Sequence, residues 1–462
     1  MKTEALFAKI YATAQKCGYE IYVVGGYVRD LLLGKHIKDI DFVVVGDAMA
    51  FADQLKHDLR LRRLVRYPRF GTFMAIYYGY TLEFVNARSE SYSQDSRKPV
   101  TKQADLYSDL SRRDFTINTL AMSIDPKNFG QITDRFDGQK DLKNKLIRTP
   151  LAPEQTFSDD PLRMMRAIRF ASRLNFSIHE PVWKAIEEAR QRLQIVSQER
   201  ITDEFNKILL SDIPSRGLRM LDESGLLEIF LPELLEMKGV EQRNKYHHKD
   251  VFYHTLEVLD NIARRTNDLK LRLAALFHDI GKPKTRRFDE EAGWTFHGHE
   301  VVGKKMVGTI LRRMRYSSET IAYAKKLTHL HLRPMVLVSS EVTDSAIRRL
   351  IFLAGDEIND LMTLCRADIT SKNPKRVRKY LSNYDNVLDK IAEVEERDRI
   401  RNFKPPVDGH EIMLMFGLQP GPQIGRIKKF LEEAIMNGEV HNDHDACVDF
   451  LKDNKSQFMA DS

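Results

Sequence analysis

Residues 19–45 read YEIYVVGGYVRDLLLGKHIKDIDFVVV, and this stretch decides the fold of the first part of the chain. Residues 19–24 form an apolar run of strand length that ends at Gly25 and Gly26. A short helix fits 27–33, closed by Gly34, and a second strand fits 39–45. Strand side chains alternate faces, so Asp39 and Asp41 point one way while Ile40 and Phe42 point the other, into a core. Two like charges side by side repel, and acids are disfavoured in strands. A cation with oxygen ligands offsets that cost, and Mg²⁺ is of this kind. Two such ions, roughly 3.5–4 Å apart, would activate a hydroxyl and stabilise a leaving pyrophosphate. An edge strand with two solvated acids is the other reading. Gly25 and Gly26 let backbone approach phosphate closely at a helix N-terminus, or simply make a tight turn. No P-loop pattern is present.

Working outward, 462 residues exceed one ordinary core and point to two to four domains. At 42% hydrophobic and 30% charged the chain is globular. No apolar run reaches the roughly 18–20 residues that span a bilayer, so no membrane is expected. The first residues lack the order of a secretion signal. Cys17, Cys365 and Cys447 are far apart and odd in number, which fits a reduced, cytoplasmic setting. The net charge of +7 suits polyphosphate or nucleic acid, or only a solvated basic surface. A helix is expected over 6–17 and strands near 73–78 and 82–86. The polar stretch 89–111 reads as a flexible loop. From about 141 strands nearly vanish, and amphipathic helices fit 161–174, 181–193, 199–210 and 215–224. Residues 246–372 read as helical and histidine-rich, and a turn at 417–422 precedes a basic helix over 424–437. No repeat of 20–50 residues occurs.

Three further constellations carry chemistry. In RRDFTIN, residues 112–118, Arg112 and Arg113 offer planar donor forks to a triphosphate, and Asp114 could accept from a ribose hydroxyl. The competing reading makes Asp114 a helix cap with solvated arginines. In DDPLR, residues 159–163, Asp160 and Arg163 are three apart and share a helix face, with Arg166 and Arg169 following. An acid that accepts from an exocyclic amine and an arginine that donates to ring acceptors would read C and A; an N-cap with an i,i+3 salt bridge is the alternative. Finally, His254, His278, Asp279 and Asp368, with His299 and His331 as further candidates, offer imidazole and carboxylate ligands for a divalent transition metal or Mg²⁺. His278 and Asp279 lie in an apolar helix, where charged groups need partners.

Together, GGYVRDLLLG at 25–34 and DID at 39–41 resemble the signature of class II tRNA nucleotidyltransferases and bacterial poly(A) polymerases. Residues 112–118 resemble the family's RRDFTxN motif, and 159–163 its EDxxR base-reading motif, with Asp159 where Glu is usual. Asp137, Gly138 and Asp141, then 147–149, resemble the hinge between head and neck, and 89–111 corresponds to the loop that helps switch specificity from C to A. Residues 199–201 resemble an architectural family helix. FHDIGKP at 277–283 resembles an HD-domain metal-dependent phosphohydrolase, and 408–413, 417–422 and Arg426, Lys428 and Lys429 resemble the tail arm of HD-bearing members, although a solvated helix face fits those basic residues equally.

The resemblance spans roughly residues 15–440. It implies an α+β fold: a small mixed α/β nucleotidyltransferase head (1–140), a helical neck and body (141–245), an HD domain (246–372) and a helical tail arm (373–462). It implies Mg²⁺ on Asp39 and Asp41, and nucleotide contacts from Gly25, Gly26, Arg29, Arg112, Arg113, Asp114 and Asn118, with Asp160, Arg163 and Arg166 at the base. The implied activity is addition of CCA to tRNA 3′ ends from CTP and ATP, with hydrolysis of phosphorylated RNA ends at the HD metals as a second expectation. A poly(A) polymerase or A-adding enzyme is the rival of the same chemistry. An HD phosphohydrolase with an RNA-binding head, and a non-catalytic RNA binder, are rivals of other classes.

Overall fold

The computed structural model describes residues 3–35, 37–93, 96–244, 247–291, 293–339, 343–371, 373–398 and 405–459. The chain divides into two compact units, 1–230 and 231–462.

In the first unit, strands β1 (Glu20–Val24), β2 (Asp39–Val45), β3 (Leu64–Tyr67), β4 (Thr72–Tyr77), β5 (Tyr80–Asn86), β8 (Ala121–Ser123) and β9 (Ile132–Thr133) form one sheet of order β3-β4-β5-β2-β1-β8-β9. Only β2 and β5 run parallel; the other pairs are antiparallel. One face is packed by aromatic rings. Phe42, Phe84 and Phe73 stack in a row at centroid distances of 4.6 and 4.5 Å. Phe7 of α1 (Thr3–Lys16) and Phe51 of α3 (Ala48–Asp58) meet them edge-on. The other face carries Asp39, Asp41, Val43 and Val45 in turn. There Val43 joins a small core with Val24, Ala121 and Leu110 of α4 (Leu106–Ser111). The acids therefore sit at the uncovered end of a strand whose other end is buried.

Residues 89–111 are not the loop their polarity suggests. They form an antiparallel hairpin, β6 (Arg88–Ser93) with β7 (Ser96–Gln103), followed by α4, which Asp105 caps through the amide of Ser108. The sequence there has no apolar alternation by which a strand is read, and Pro99 argues against a strand except at an edge. Residues 94 and 95 lie outside the described residues.

After α2 (Gly26–Leu32), the helices of this unit are α5 (Gly138–Asn144), α6 (Pro153–Asp159), α7 (Leu162–Leu174), α8 (Glu180–Ala189), α9 (Gln198–Leu209), α10 (Pro214–Glu223) and α11 (Leu226–Phe230). The expected hinge is tied through Asp141, buried on α5, which accepts from the Thr116 hydroxyl at 2.6 Å and Arg148 Nε at 2.9 Å. Gly138 is required there: a Cβ would lie 2.3 Å from the Thr116 carbonyl oxygen.

The second unit is built from α12 (Val251–Ala263), α13 (Leu269–Phe277), α14 (Lys282–Thr285), α15 (His299–Arg313), α16 (Ser318–Leu330), α17 (Arg333–Ser339), α18 (Asp344–Ala354), α19 (Ile358–Ala367), α20 (Pro374–Asp398), α21 (Gly409–Phe416), α22 (Pro422–Asn437), α23 (His444–Asp453) and α24 (Lys455–Met459). Two short antiparallel strand pairs, 241–244 with 247–250 and 287–289 with 293–295, interrupt the helices. Asp408 and Glu411 make a reciprocal capping box at α21, and Gly417 closes it with positive φ. No described helix is long and apolar enough to cross a membrane.

Candidate functional site

A cleft of about 710 Å³ in the first unit is lined by Gly25, Gly26, Asp41, Glu83 and a series of arginines. Register explains why Glu83 is there. On the sheet, Asp41 pairs with Val24 on one side and Glu83 on the other, so the two acids are neighbours on the same face. The sequence reading missed Glu83; its signal was a lone acid between Leu82 and Phe84, which are both buried. Among the described residues no group donates a hydrogen bond to Asp39, Asp41 or Glu83. Burial foremost, then Glu83, with Asp39 adding and Arg113 and Arg29 opposing, lifts the Asp41 carboxyl to about 6. Three carboxylates on one open end of a sheet, one of them raised by burial and a neighbouring acid, match the donor set a divalent cation takes.

Gly25 marks where backbone meets this charge. Its φ of +68° belongs to glycine, and a Cβ would lie 2.9 Å from an Arg113 guanidinium nitrogen and 3.7 Å from Asp41 Oδ2. Gly26 has an ordinary backbone with 3.6 Å of clearance to Arg29, so it is not constrained in the same way. Arg112 and Arg113 are not simply solvated. Both are clamped by Asp109, a fully buried carboxylate on α4 at i−3 and i−4, whose oxygens lie 2.6 and 2.9 Å from their Nη2 atoms. Asp109 was invisible to motif reading because it precedes the motif by one helical turn.

Behind the arginines lies a buried polar chain. Arg29 donates to Asn118 Oδ1 at 2.7 Å, Asn118 donates to Asp114 Oδ1 at 2.9 Å, and Arg166 donates to Asp114 Oδ2 through Nε at 2.8 Å and Nη2 at 2.5 Å. Burial opposes the charge on Asp114, but Arg166, Asn118 and Arg163 together outweigh it and hold this carboxyl well below the ordinary range. Arg169 Nε lies 2.9 Å from buried Glu204, and the guanidiniums of Arg29, Arg166 and Arg169 all gather around the Phe170 ring.

Asp160 and Arg163 both line the cleft but do not share a helix face. Pro161 forces Asp160 into extended backbone at the junction of α6 and α7, so helical spacing does not apply to it. Neither does the i,i+3 salt bridge form. Asp160 pairs with Arg200 at 2.8 Å, and Arg163 Nη2 reaches the Arg112 carbonyl at 2.7 Å. Arg200, read earlier as architectural, is thus part of the cleft.

The second unit brings together all six histidine and aspartate candidates, as two groups of three. His254, His278 and Asp368 form one and Asp279, His299 and His331 the other, with ligand atoms within 4.8 Å in each. Asp279 touches both: its Oδ2 lies 3.2 Å from His278 Nε2 and its Oδ1 3.4 Å from His299 Nε2. The ligands come from helix ends. His278, His331 and Asp368 follow the last turns of α13, α16 and α19, and His299 opens α15. His278, His299 and His331 each direct Nδ1 at a backbone carbonyl, of Ala275, Phe296 and Thr328. That bond requires a proton on Nδ1 and turns the Nε2 lone pair inward. His299 and His331 Nε2 atoms face each other at 3.3 Å, lone pair to lone pair, an arrangement a cation resolves. The two histidines differ in charge: burial works against a charged His278, but Asp279 and Asp368 raise it to about 10, whereas burial and His278 push His331 down to about 3. Lys282 donates to Asp279 Oδ2 at 2.7 Å. In the tail, Lys429 of α22 is exposed and lies 3.8 Å from Glu433, while Ile427 and Leu431 are buried.

Residues 21–148 match the poly A polymerase head domain, 175–238 the probable RNA and SrmB-binding site of polymerase A, and 251–371 the HD domain. An A-adding tRNA nucleotidyltransferase of Deinococcus radiodurans is 33% identical over 74% of this chain and 78% of that protein. A CC-adding tRNA nucleotidyltransferase of Thermus thermophilus is 30% identical over 92% of each. A CCA-adding enzyme of Geobacillus sp. is 31% identical over 96% of this chain and 95% of that one. The fold is that of the Bacillus stearothermophilus CCA-adding enzyme solved with CTP, with TM-score 0.69, 23% identity and full coverage of both chains. Motifs in the head, a matched RNA-binding segment and an HD domain occur in one chain that is similar to the Thermus and Geobacillus proteins nearly end to end. The chain belongs to the tRNA nucleotidyltransferase family, whose head it shares with poly(A) polymerases.

Proposed function

We propose that this protein adds C, C and A to tRNA 3′ ends from CTP and ATP, with the four-part division of head (1–140), neck and body (141–245), HD domain (246–372) and tail (373–462). The observation that carries the reading is the cleft in which Asp41 and Arg113 both lie beside Gly25, with Glu83 and Arg112 also in its lining. Asp39 and Asp41, with Glu83, are assigned to hold Mg²⁺, which when bound would neutralise charge on the transferring phosphate and acidify the tRNA hydroxyl. Arg112 and Arg113, set by Asp109, hold the triphosphate as paired forks. Gly25 admits it by presenting no side chain. Arg29, Asn118, Asp114 and Arg166 keep the sugar side of the cleft rigid and desolvated. Asp160 and Arg163 read the base. The Asp160–Arg200 pair is half-exposed and so yields to an exocyclic amine at small cost. Arg163 keeps further N–H donors beyond the one on the Arg112 carbonyl.

The six ligands of the second unit would hold divalent metal, of a transition kind or Mg²⁺, which when bound would activate water for phosphoester hydrolysis as a second activity. Purified protein, tRNA lacking CCA and each NTP alone test the main reading. CTP followed by ATP should be incorporated. Incorporation of ATP but not CTP would establish the A-adding or poly(A) rival instead. If the head only binds RNA, Asp41→Ala will spare all activity and His278→Ala will abolish it.

A further inference from the structure

We propose that a basic groove on the second unit, between α15 and α16, is a docking surface for the phosphate backbone of RNA. The groove, about 460 Å³ in volume, is walled by Lys304, Lys305 and Arg312 of α15 and by Lys325 and His329 of α16. The α15 residues recur at i,i+3/i+4 spacing and so form one face. Gly308 lies on that face. A Cβ there would stand 3.2 Å from the Lys325 side chain, so its absence lets Lys325 lie across α15.

No acid lines the groove. Among the described residues, none of Lys304, Lys305, Arg312 or Lys325 has a carboxylate within ion-pair distance. Other cations of this unit do: Lys282, Arg313, Lys326 and Arg366 are each paired. Four unpaired like charges in one concavity repel, and an anion is what makes such an arrangement favourable. His329 adds a buried Nδ1 with no hydrogen-bond partner. From Lys304 to Arg312 the charges extend about 12 Å along the helix, longer than a single phosphate and suited to successive phosphates of a strand. Gly308 is nine residues beyond His299, about 180° around α15, so the groove faces away from the histidine cluster and serves binding rather than hydrolysis. The assignment of RNA rests on the reading that RNA is this chain's substrate.

Anisotropy of labelled tRNA lacking CCA, titrated with the full-length protein at several KCl concentrations, tests this. Each lost backbone contact lowers the slope of log K against log salt by about 0.7–0.9. The variant Lys304→Gln/Lys305→Gln/Lys325→Gln should therefore lose about 2 in slope and bind roughly tenfold more weakly at about 150 mM salt. Lys304→Arg/Lys305→Arg/Lys325→Arg should bind as wild type. Lys305→Glu, a single exposed change that cannot disturb the core, should weaken binding several-fold. Wild-type slope and affinity in the folded Gln and Glu variants would overturn the proposal. So would loss of calorimetric tripolyphosphate binding in the Gln variant with tRNA affinity intact, which makes the groove a small-polyanion site. Incorporation of CTP at saturating tRNA should stay unchanged. Because the readout is binding, failure of the transfer reading would appear in the incorporation assay alone.

Discussion

Replacing Asp41 by Asn should stabilise the metal-free protein while destroying nucleotidyl transfer. The Asp41 carboxyl is lifted from 3.8 to about 6 by burial and by Glu83. Its folded-state pKa is raised, so the native state binds more protons than the unfolded state between those values, and stability falls as pH rises through that window. The cost of the charge is about 1 kcal/mol near pH 4.5 and approaches about 3 kcal/mol by pH 8, as a ceiling. Asparagine mimics the neutral acid and removes that cost. In a unit of about 230 residues, 3 kcal/mol corresponds to a rise of roughly 6–12 °C in Tm. Melting followed in chelator at pH 8 should therefore show the variant several degrees above wild type, with the gap shrinking to a few degrees or less at pH 4.5. Adding Mg²⁺ at pH 8 should raise wild type and leave the variant nearly unmoved. A variant that melts at or below wild type at pH 8 would refute the claim that Asp41 carries uncompensated charge.

Gly25→Ala forces a side chain into a φ of +68° and against Arg113, and should cost about 1–3 kcal/mol in melting and abolish CTP binding by calorimetry, whereas Gly26→Ala should bind CTP within a few-fold of wild type. Asp109→Asn leaves two arginines without their clamp; melting should report a loss of about 3 kcal/mol or more, and KM for CTP should rise at least tenfold. Metal content after dialysis into Mn²⁺ should be two ions per second unit in wild type, one in His331→Ala, and at most one, held more weakly, in Asp279→Asn, because Asp279 belongs to one group and lies against the other.

What the sequence made legible depended on whether the physics was local. Asp39 and Asp41 announce a shared face through the two-residue period of a strand, and the structure keeps them at its uncovered end. Glu83 is their neighbour only through register across the parallel β2–β5 pair, which no local pattern encodes. The six ligands of the second unit were legible one by one because histidines beside acids at apolar helix ends are costly without partners. Their division into two groups bridged by Asp279 needed five helices in place. Residues 89–111 misled because polarity was taken for disorder, although a hairpin needs only backbone pairing and a turn. Asp160 and Arg163 misled for a backbone reason: counting three along a helix fails when Pro161 holds the first of them outside it.

The cleft is polarised, and under the proposed function that polarity would place the reaction. Nine arginines line it against four acids, so as a whole it attracts a polyphosphate. Two of the acids, Asp41 and Glu83, are gathered at one end with Asp39 beside them, where they would repel that same polyphosphate unless cations intervene. Only a group that touches both ends at once is drawn to the boundary, and Gly25 sits on that boundary, with Arg113 and Asp41 on either side of where its Cβ would be. Under the proposed function, a phosphate there would meet donors on one flank and, on the other, the carboxylates that would hold Mg²⁺, in the space that Gly25 leaves open by having no side chain.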